Sequence, residues 1–492
     1  MLAPSFPESP PQKSAILRGC DFLGALLLFI GYINSMSPFE LNAGVRSSET
    51  AKAAAGAETQ GEVRLRRPER RQMELVPQCT DDLVSATHPV RTVAAVAAKL
   101  NLSAFGEAIQ AREGVAGRDA TDPELLVALW LYACIRGIGS ARELARRCEE
   151  SAPFRWLCGG VGVNHRMLSD FRTDHGEALD KLFTQVIATL VDQELVTASR
   201  VSQDGVRVRV SAGAGSFRRE ERLQKLLAES KTHVEQVRRQ VEEPEKLSAE
   251  AVKKRAAQLR AAEERQKRVE QAVAQLPDMK ERQEETVRRA GQGERGQKIR
   301  AKQLRVSTSD PEARVMKMAN GGYNPAFNVQ LATDATSRAI VGVEVSNEGS
   351  DSAGLSESMR EQVERRSGRK VEQHLVDGGY LRNDDIERAH EQNVELFVPP
   401  KGARNPENRG RELEPKSRDN AAVRAWKQRM GSDEGKEIYK QRAATSETVN
   451  ADLRSYRGLT QFTVRGRHKA RCVVLWCALA YNLMHFGAAL LK

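Results

Sequence analysis

Asp204 in Val201-Ser202-Gln203-Asp204-Gly205, Asp377 in Leu375-Val376-Asp377-Gly378-Gly379-Tyr380 and Glu447 in Ala444-Thr445-Ser446-Glu447-Thr448 sit in three differently built segments of this 492-residue chain. Carboxylate oxygens are hard ligands for Mg²⁺ and leave coordination positions open for water and phosphate. Two such ions, roughly 4 Å apart, can activate an attacking oxygen and stabilise a leaving one. Three converging carboxylates would therefore suit phosphodiester chemistry. Any one of the 66 acidic residues taken alone is ordinarily a solvated surface charge, so the surroundings of these three must carry the reading.

Those surroundings predict three kinds of element. Asp204 opens an alternation of Val206, Val208 and Val210 against Arg207, Arg209 and Ser211, the period-2 pattern of a half-buried strand. Asp377 ends a short apolar run, and Gly378 and Gly379 allow a sharp turn beside a ligand. Glu447 begins a helix on which Asn450 and Arg454, three and seven residues on, share its face.

The order of these blocks resembles that of bacterial insertion-sequence transposases of the DDE class. Gln203-Asp204-Gly205 through Ser216-Phe217-Arg218-Arg219 looks like the first catalytic block, and Val376-Asp377-Gly378-Gly379-Tyr380 like the second. Tyr439, Arg442 and Glu447, followed seven positions later by a basic residue, resemble the Tyr, Arg, Glu, Lys signature of the third. That last position is Arg454 where the family usually has Lys, which keeps the charge and changes the donor geometry. The similarity runs from about Met73 to near the C-terminus. It implies an α/β fold, a ribonuclease-H-like mixed sheet flanked by helices, and two Mg²⁺ ions, replaceable by Mn²⁺, held by Asp204, Asp377 and Glu447. It also places Arg442 and Arg454 as phosphate ligands, because guanidinium forks bind phosphate bidentately, with Tyr439 and Asn450 in positioning roles.

Composition agrees with a DNA-acting enzyme. The chain is 40% hydrophobic, enough for a large core, and its net charge of +11 favours a polyanionic partner. The seven cysteines are odd in number and lack CxxC spacing, which argues for reduced cytoplasmic thiols. The apolar run Cys20 to Ile33 is too short to span a bilayer. Residues 1–72 are expected to be an N-terminal extension, with Met73 as the natural start. The second apolar run, Cys472 to Leu491, is long enough to span but holds Asn482 and His485, so a buried helix is expected.

Residues 73–196 read as a helical domain that binds DNA ends. Asp122 and Pro123 mark one helix start, Gly137-Ile138-Gly139 its stop, and Ser140 with Glu143 a capping box for the next. The pattern suits a helix-turn-helix in which Arg142, Arg146 and Arg147 touch DNA, or an ordinary helical hairpin with solvated arginines. Residues 197–216 begin the catalytic core. Residues 217–305 hold 24 Lys and Arg against 16 Asp and Glu, and read as an inserted basic arm of two long antiparallel helices. Pro277 is expected to end the second helix, and Gly291 to Gly296 to form a flexible return. Residues 306–492 complete the core, starting with a loop at Ser307 to Pro311.

The expected partners are double-stranded DNA at the element's terminal inverted repeats, target DNA and a second copy of the chain in a homodimer, with no membrane. The expected activity is cutting and joining of DNA in the bacterial cytoplasm, near the nucleoid. A transposase-derived DNA-binding protein without turnover and a nuclease that cuts without joining are the alternatives. Asp334, Asp351 and Asp384 are spare carboxylates.

Overall fold

The computed structural model describes residues 79–492 apart from 108, 112–113, 115–117, 243–247, 350–353 and 401–410. The expected extension over residues 1–72, the short apolar run within it and Asp351 therefore lie outside the described residues.

Helices open the described chain: α1 (Pro89–Lys99), α2 (Pro123–Ile135), α3 (Ala141–Glu150), α4 (Ala152–Cys158), α5 (His165–Asp174) and α6 (Gly176–Asp192). Asp122 caps α2 by accepting from the Glu124 amide at 2.8 Å, and Pro123 fills the first turn, where its missing N–H costs nothing. Every residue from Leu126 to Cys134 is buried, as a helix that is apolar all round requires. Ser140 caps α3 at the Glu143 amide.

The sheet follows, in the order β4-β5-β1-β7-β8 with β6 beside β5. Strand β1 (Arg200–Arg209) pairs antiparallel with β5 (Tyr323–Asp334) along its length. It pairs parallel with β7 (Gln373–Val376) only as far as Gln203↔Val376. β4 (Arg314–Lys317) and β6 (Ile340–Ser346) both pair antiparallel with β5, and β8 (Glu395–Phe397) extends the parallel side beyond β7. The strand predicted to open at Asp204 begins at Arg200, so Asp204 lies mid-strand. Val201, Ser202 and Gln203 are buried on both faces, which hid them from an alternation test.

Between β1 and β4 the chain leaves the sheet at β2 (Phe217–Arg218) and returns at β3 (Val306–Ser307), which pair with each other. The excursion comprises α7 (Glu220–Glu242), α8 (Ala249–Ala274), α9 (Leu276–Ala290) and α10 (Glu294–Ala301). The second arm helix ends at Ala274, just ahead of Pro277 as expected, but Pro277 itself sits in the first turn of a further helix, α9, where proline is tolerated. The expected glycine return is mostly helical: Gly293 caps α10, and a Cβ on Gly296 would stand 1.9 Å from the Gly291 carbonyl oxygen. Ser307, expected to open a loop, instead closes the β3 strand.

Helix α11 (Leu355–Ser367) leads to β7, α12 (Asn383–Glu391) follows it, and α13 (Ala421–Gly431) and α14 (Asp433–Arg442) come after β8. A π-helical turn, Ala443–Glu447, joins α14 to α15 (Thr448–Ser455), and α16 (Arg467–Leu490) closes the chain. Helix α16 is long and apolar enough to cross a membrane, yet most of it is buried against α2, α6 and β6. Its Asn482 accepts from the Ile340 amide at 2.9 Å and donates to the Ile340 carbonyl at 2.8 Å, so the polar residue inside the run satisfies a buried strand backbone. One continuous apolar core joins the N-terminal helices, α16 and the sheet, and a smaller one lies among β7, β8, α12 and α13.

Candidate active site

Alternation along β1 decides what the site receives. Ser202 and Asp204 point to one face, Gln203 to the other. Asp204 also marks the place where the β7 neighbour ends, so its carboxylate emerges where the sheet opens. Asp377 stands one residue past the last β1/β7 pair, next to Asp204 in the same register. Its Oδ1 accepts from the Gly378 amide at 2.7 Å and caps a short turn through Tyr380.

Glu447 arrives by a different device. In a regular α-helix, residues five apart point about 140° away from one another. The π turn, with its wider i→i+5 repeat, brings Arg442 and Glu447 to the same side, their Nη1 and Oε1 atoms 3.9 Å apart. The turn is fixed to β1 by a hydrogen bond between the buried hydroxyls of Ser202 and Ser446.

Arg442 is the hub. Its Nη2 donates to Asp204 Oδ1 at 3.0 Å, while Asn450 Nδ2 donates to Asp204 Oδ2 at 2.8 Å. Burial opposes charge on Arg442, but Asp204, Tyr439, Asp377 and Glu447 outweigh it and raise its pKa above the ordinary arginine value. Asn450 is buried, and among the described residues its Oδ1 has no partner, nor has Arg442 Nε.

Asp204, Glu447, Asn450 and Arg454 line one cavity of about 840 Å³, together with Arg207, Arg209 and Lys317. The wall thus carries carboxylates at one end and cations around them, an arrangement that can receive a phosphodiester. The donor set is oxygen-rich and hard, and the unpartnered Asn450 oxygen adds a neutral ligand, so its chemistry fits a divalent ion. As the side chains lie, no three of His, Cys, Asp and Glu among the described residues are close enough to hold one ion. Arg442 instead bridges two of them, 3.0 Å from Asp204 and 3.9 Å from Glu447.

Of the other expected residues, Tyr439 stays near enough to Arg442 to act on its charge, and the rest lie elsewhere. Arg146 and Arg147 are exposed on α3 and both pair with Glu143; Arg142 is exposed on the same helix. Tyr439, on α14, packs against the smaller core. Asp334 is committed to structure: it accepts from the Ala198 and Ser337 amides and from the Thr197 and Ser337 hydroxyls. Asp384 is in the first turn of α12.

A buried amide chain under the site escaped the sequence reading. Gln203 donates to Gln330 at 2.9 Å, Gln330 donates to Asn328 at 3.1 Å, and the Tyr380 hydroxyl donates to Gln330. The chain ties the Asp204 strand to the turn that follows Asp377. Glutamines inside the strand-like runs of β1 and β5 were its only sequence signal.

Residues 296–483 match the family model described as a transposase DDE domain, and residues 78–174 match the one described as a transposase domain, DUF772. Together they cover more than half of the chain. The first match takes in Asp377 and Glu447 and begins within α10, the last helix of the excursion, so Asp204 lies before it. It brings with it a ribonuclease-H-like fold, nucleic-acid cleavage as the class of activity and a general use of divalent metal. No curated protein and no solved structure matches the chain.

Proposed function

We propose that this chain, which belongs to the insertion-sequence DDE transposases, cuts DNA at the ends of its element and joins the freed ends to target DNA. The observation that carries the reading is the shared cavity: Asp204 and Glu447 line it with Asn450, amid the cations of Arg207, Arg209, Lys317 and Arg454. Asp377, next to Asp204 in register, completes the acidic set.

Asp204, Asp377 and Glu447, with Asn450 Oδ1 as a neutral oxygen, would hold Mg²⁺. Bound there, the metal would supply Lewis-acid stabilisation of the phosphoryl oxygens and a water of lowered pKa. The remaining work belongs to side chains. Arg454 and the basic wall, to which Arg207 and Arg209 contribute, bind and orient the backbone. The Ser202–Ser446 bond and the Gln203–Gln330–Tyr380 chain fix the spacing of the three acidic segments. No covalent protein intermediate is needed, so Tyr439 is left a packing role. The exposed α3 arginines and the basic helix α8 suit contacts to flanking DNA, and two ends call for a homodimer acting in the cytoplasm.

The test is a purified-protein assay on duplex DNA carrying the element's ends, with Mg²⁺ and with EDTA. Strand joining supports the transposase. Cutting alone indicates a nuclease, and a mobility shift without cutting indicates a DNA-binding relative.

A further inference from the structure

We propose that Arg442 is a built-in counter-cation that competes with the divalent ion for Asp204, and that an arriving DNA phosphate draws it away. This rests on the metal-dependent reading above. The guanidinium sits where a cation would, 3.0 Å from Asp204 Oδ1 and 3.9 Å from Glu447 Oε1. Its side chain is 11% exposed and that of Asp204 19%, so neither charge is relaxed by bulk water. The largely buried carboxylate of Asp204 needs a positive partner in the protein as it folds. Arg442 meets that need without metal.

The same contact is an obstacle once metal arrives. A divalent ion on Asp204 would stand beside the positive guanidinium that already holds one Oδ1 lone pair. The two cations repel, so each weakens the other's hold on the carboxylate. A phosphate in the cavity offers Arg442 a bidentate acceptor and releases Asp204. Asn450 would meet the change without leaving, since rotation of its amide turns the unpartnered Oδ1 toward the place its Nδ2 now holds. Binding is therefore ordered, with DNA first and the metal second, so that the free protein is shielded from loading an ion and cutting at random.

The experiment measures Mn²⁺ binding by electron paramagnetic resonance on the full-length protein without DNA, with folding checked by circular dichroism. Arg442→Gln is expected to bind Mn²⁺ about tenfold or more tightly than wild type, the scale of one lost hydrogen bond to a charged group. Adding Asp204→Asn to that variant should abolish the gain. Arg442→Met, which keeps the apolar stem, serves should the Gln variant fail to fold. Unchanged or weaker Mn²⁺ binding in the Arg442 variants, with binding still lost in Asp204→Asn, would overturn the competition and leave the metal site standing. Mn²⁺ binding indifferent to Asp204 would overturn the site itself, and the competition with it.

Discussion

Ser446 Oγ lies 2.5 Å from Ser202 Oγ, so the turn that carries Glu447 is tied to the strand that carries Asp204. Both hydroxyls are buried. Ser446→Ala should leave the Ser202 hydroxyl without this partner and lower stability by about 1–3 kcal/mol. The double variant, with both serines replaced, should be less destabilised than the sum of the singles. Urea denaturation of the four proteins measures the coupling, and strict additivity would count against it.

Asp204→Asn should abolish cleavage while leaving binding to end DNA largely intact, because the amide keeps the shape and removes the anionic ligand. Parallel cleavage and mobility-shift assays check this, and wild-type turnover would remove Asp204 from the site.

Arg454 is exposed on the cavity wall. Arg454→Ala should weaken DNA binding by a similar factor on any sequence and reduce the log–log salt slope by about 1, since each phosphate contact releases condensed counterions. Affinities at several salt concentrations give the slope, and a change confined to one sequence would instead mark a base contact.

Asn482→Leu should cost more than about 2 kcal/mol, because both the amide and the carbonyl of Ile340 lose buried partners at once. Thermal or urea unfolding provides the measurement, and a neutral result would mean that the strand edge finds other partners.

His374 is fully buried, and that burial, reinforced by the Arg360 guanidinium, holds it well below the ordinary histidine range. The unfolded chain takes up this proton near pH ~6.5 while the folded one does not. The contribution is therefore present above that pH and lost as pH falls below it, at up to about 1.4 kcal/mol per pH unit. His374→Gln should lose less stability than wild type between pH 7.5 and 5.5. His88, His175 and His485 are also depressed by burial and will keep some acid sensitivity in the variant.

What the sequence made legible was whatever repeats or punctuates. Asp122 with Pro123, and Ser140 with Glu143, announced helix starts that the structure contains, because capping is a local hydrogen bond between near neighbours. The buried character of the last helix was readable from Asn482, whose amide demands a partner. The convergence around Asp204 was partly legible: the face shared by Glu447 and Asn450 follows from helical spacing, and both line one cavity with Asp204. The π turn was not readable, since an i→i+5 repeat leaves no mark in residue type. Nor was the grip of Arg442 on Asp204, which spans 238 positions and exists only after the sheet has formed. Pro277 was half legible: the helix before it ends at Ala274 as expected, but the same residue type can also open the next helix, and it does so after Gln275.

The pairing of Arg218 with Val306 brings the two roots of the helical excursion side by side. Everything between them is a side branch on the main trunk, and its length is decoupled from the distance between Asp204 and Asp377. Such a branch can be stretched, shortened or exchanged for a simple reverse turn while the acidic residues keep their places. Variation among mobile elements in how far they reach along DNA could then accumulate there, with the cutting chemistry untouched.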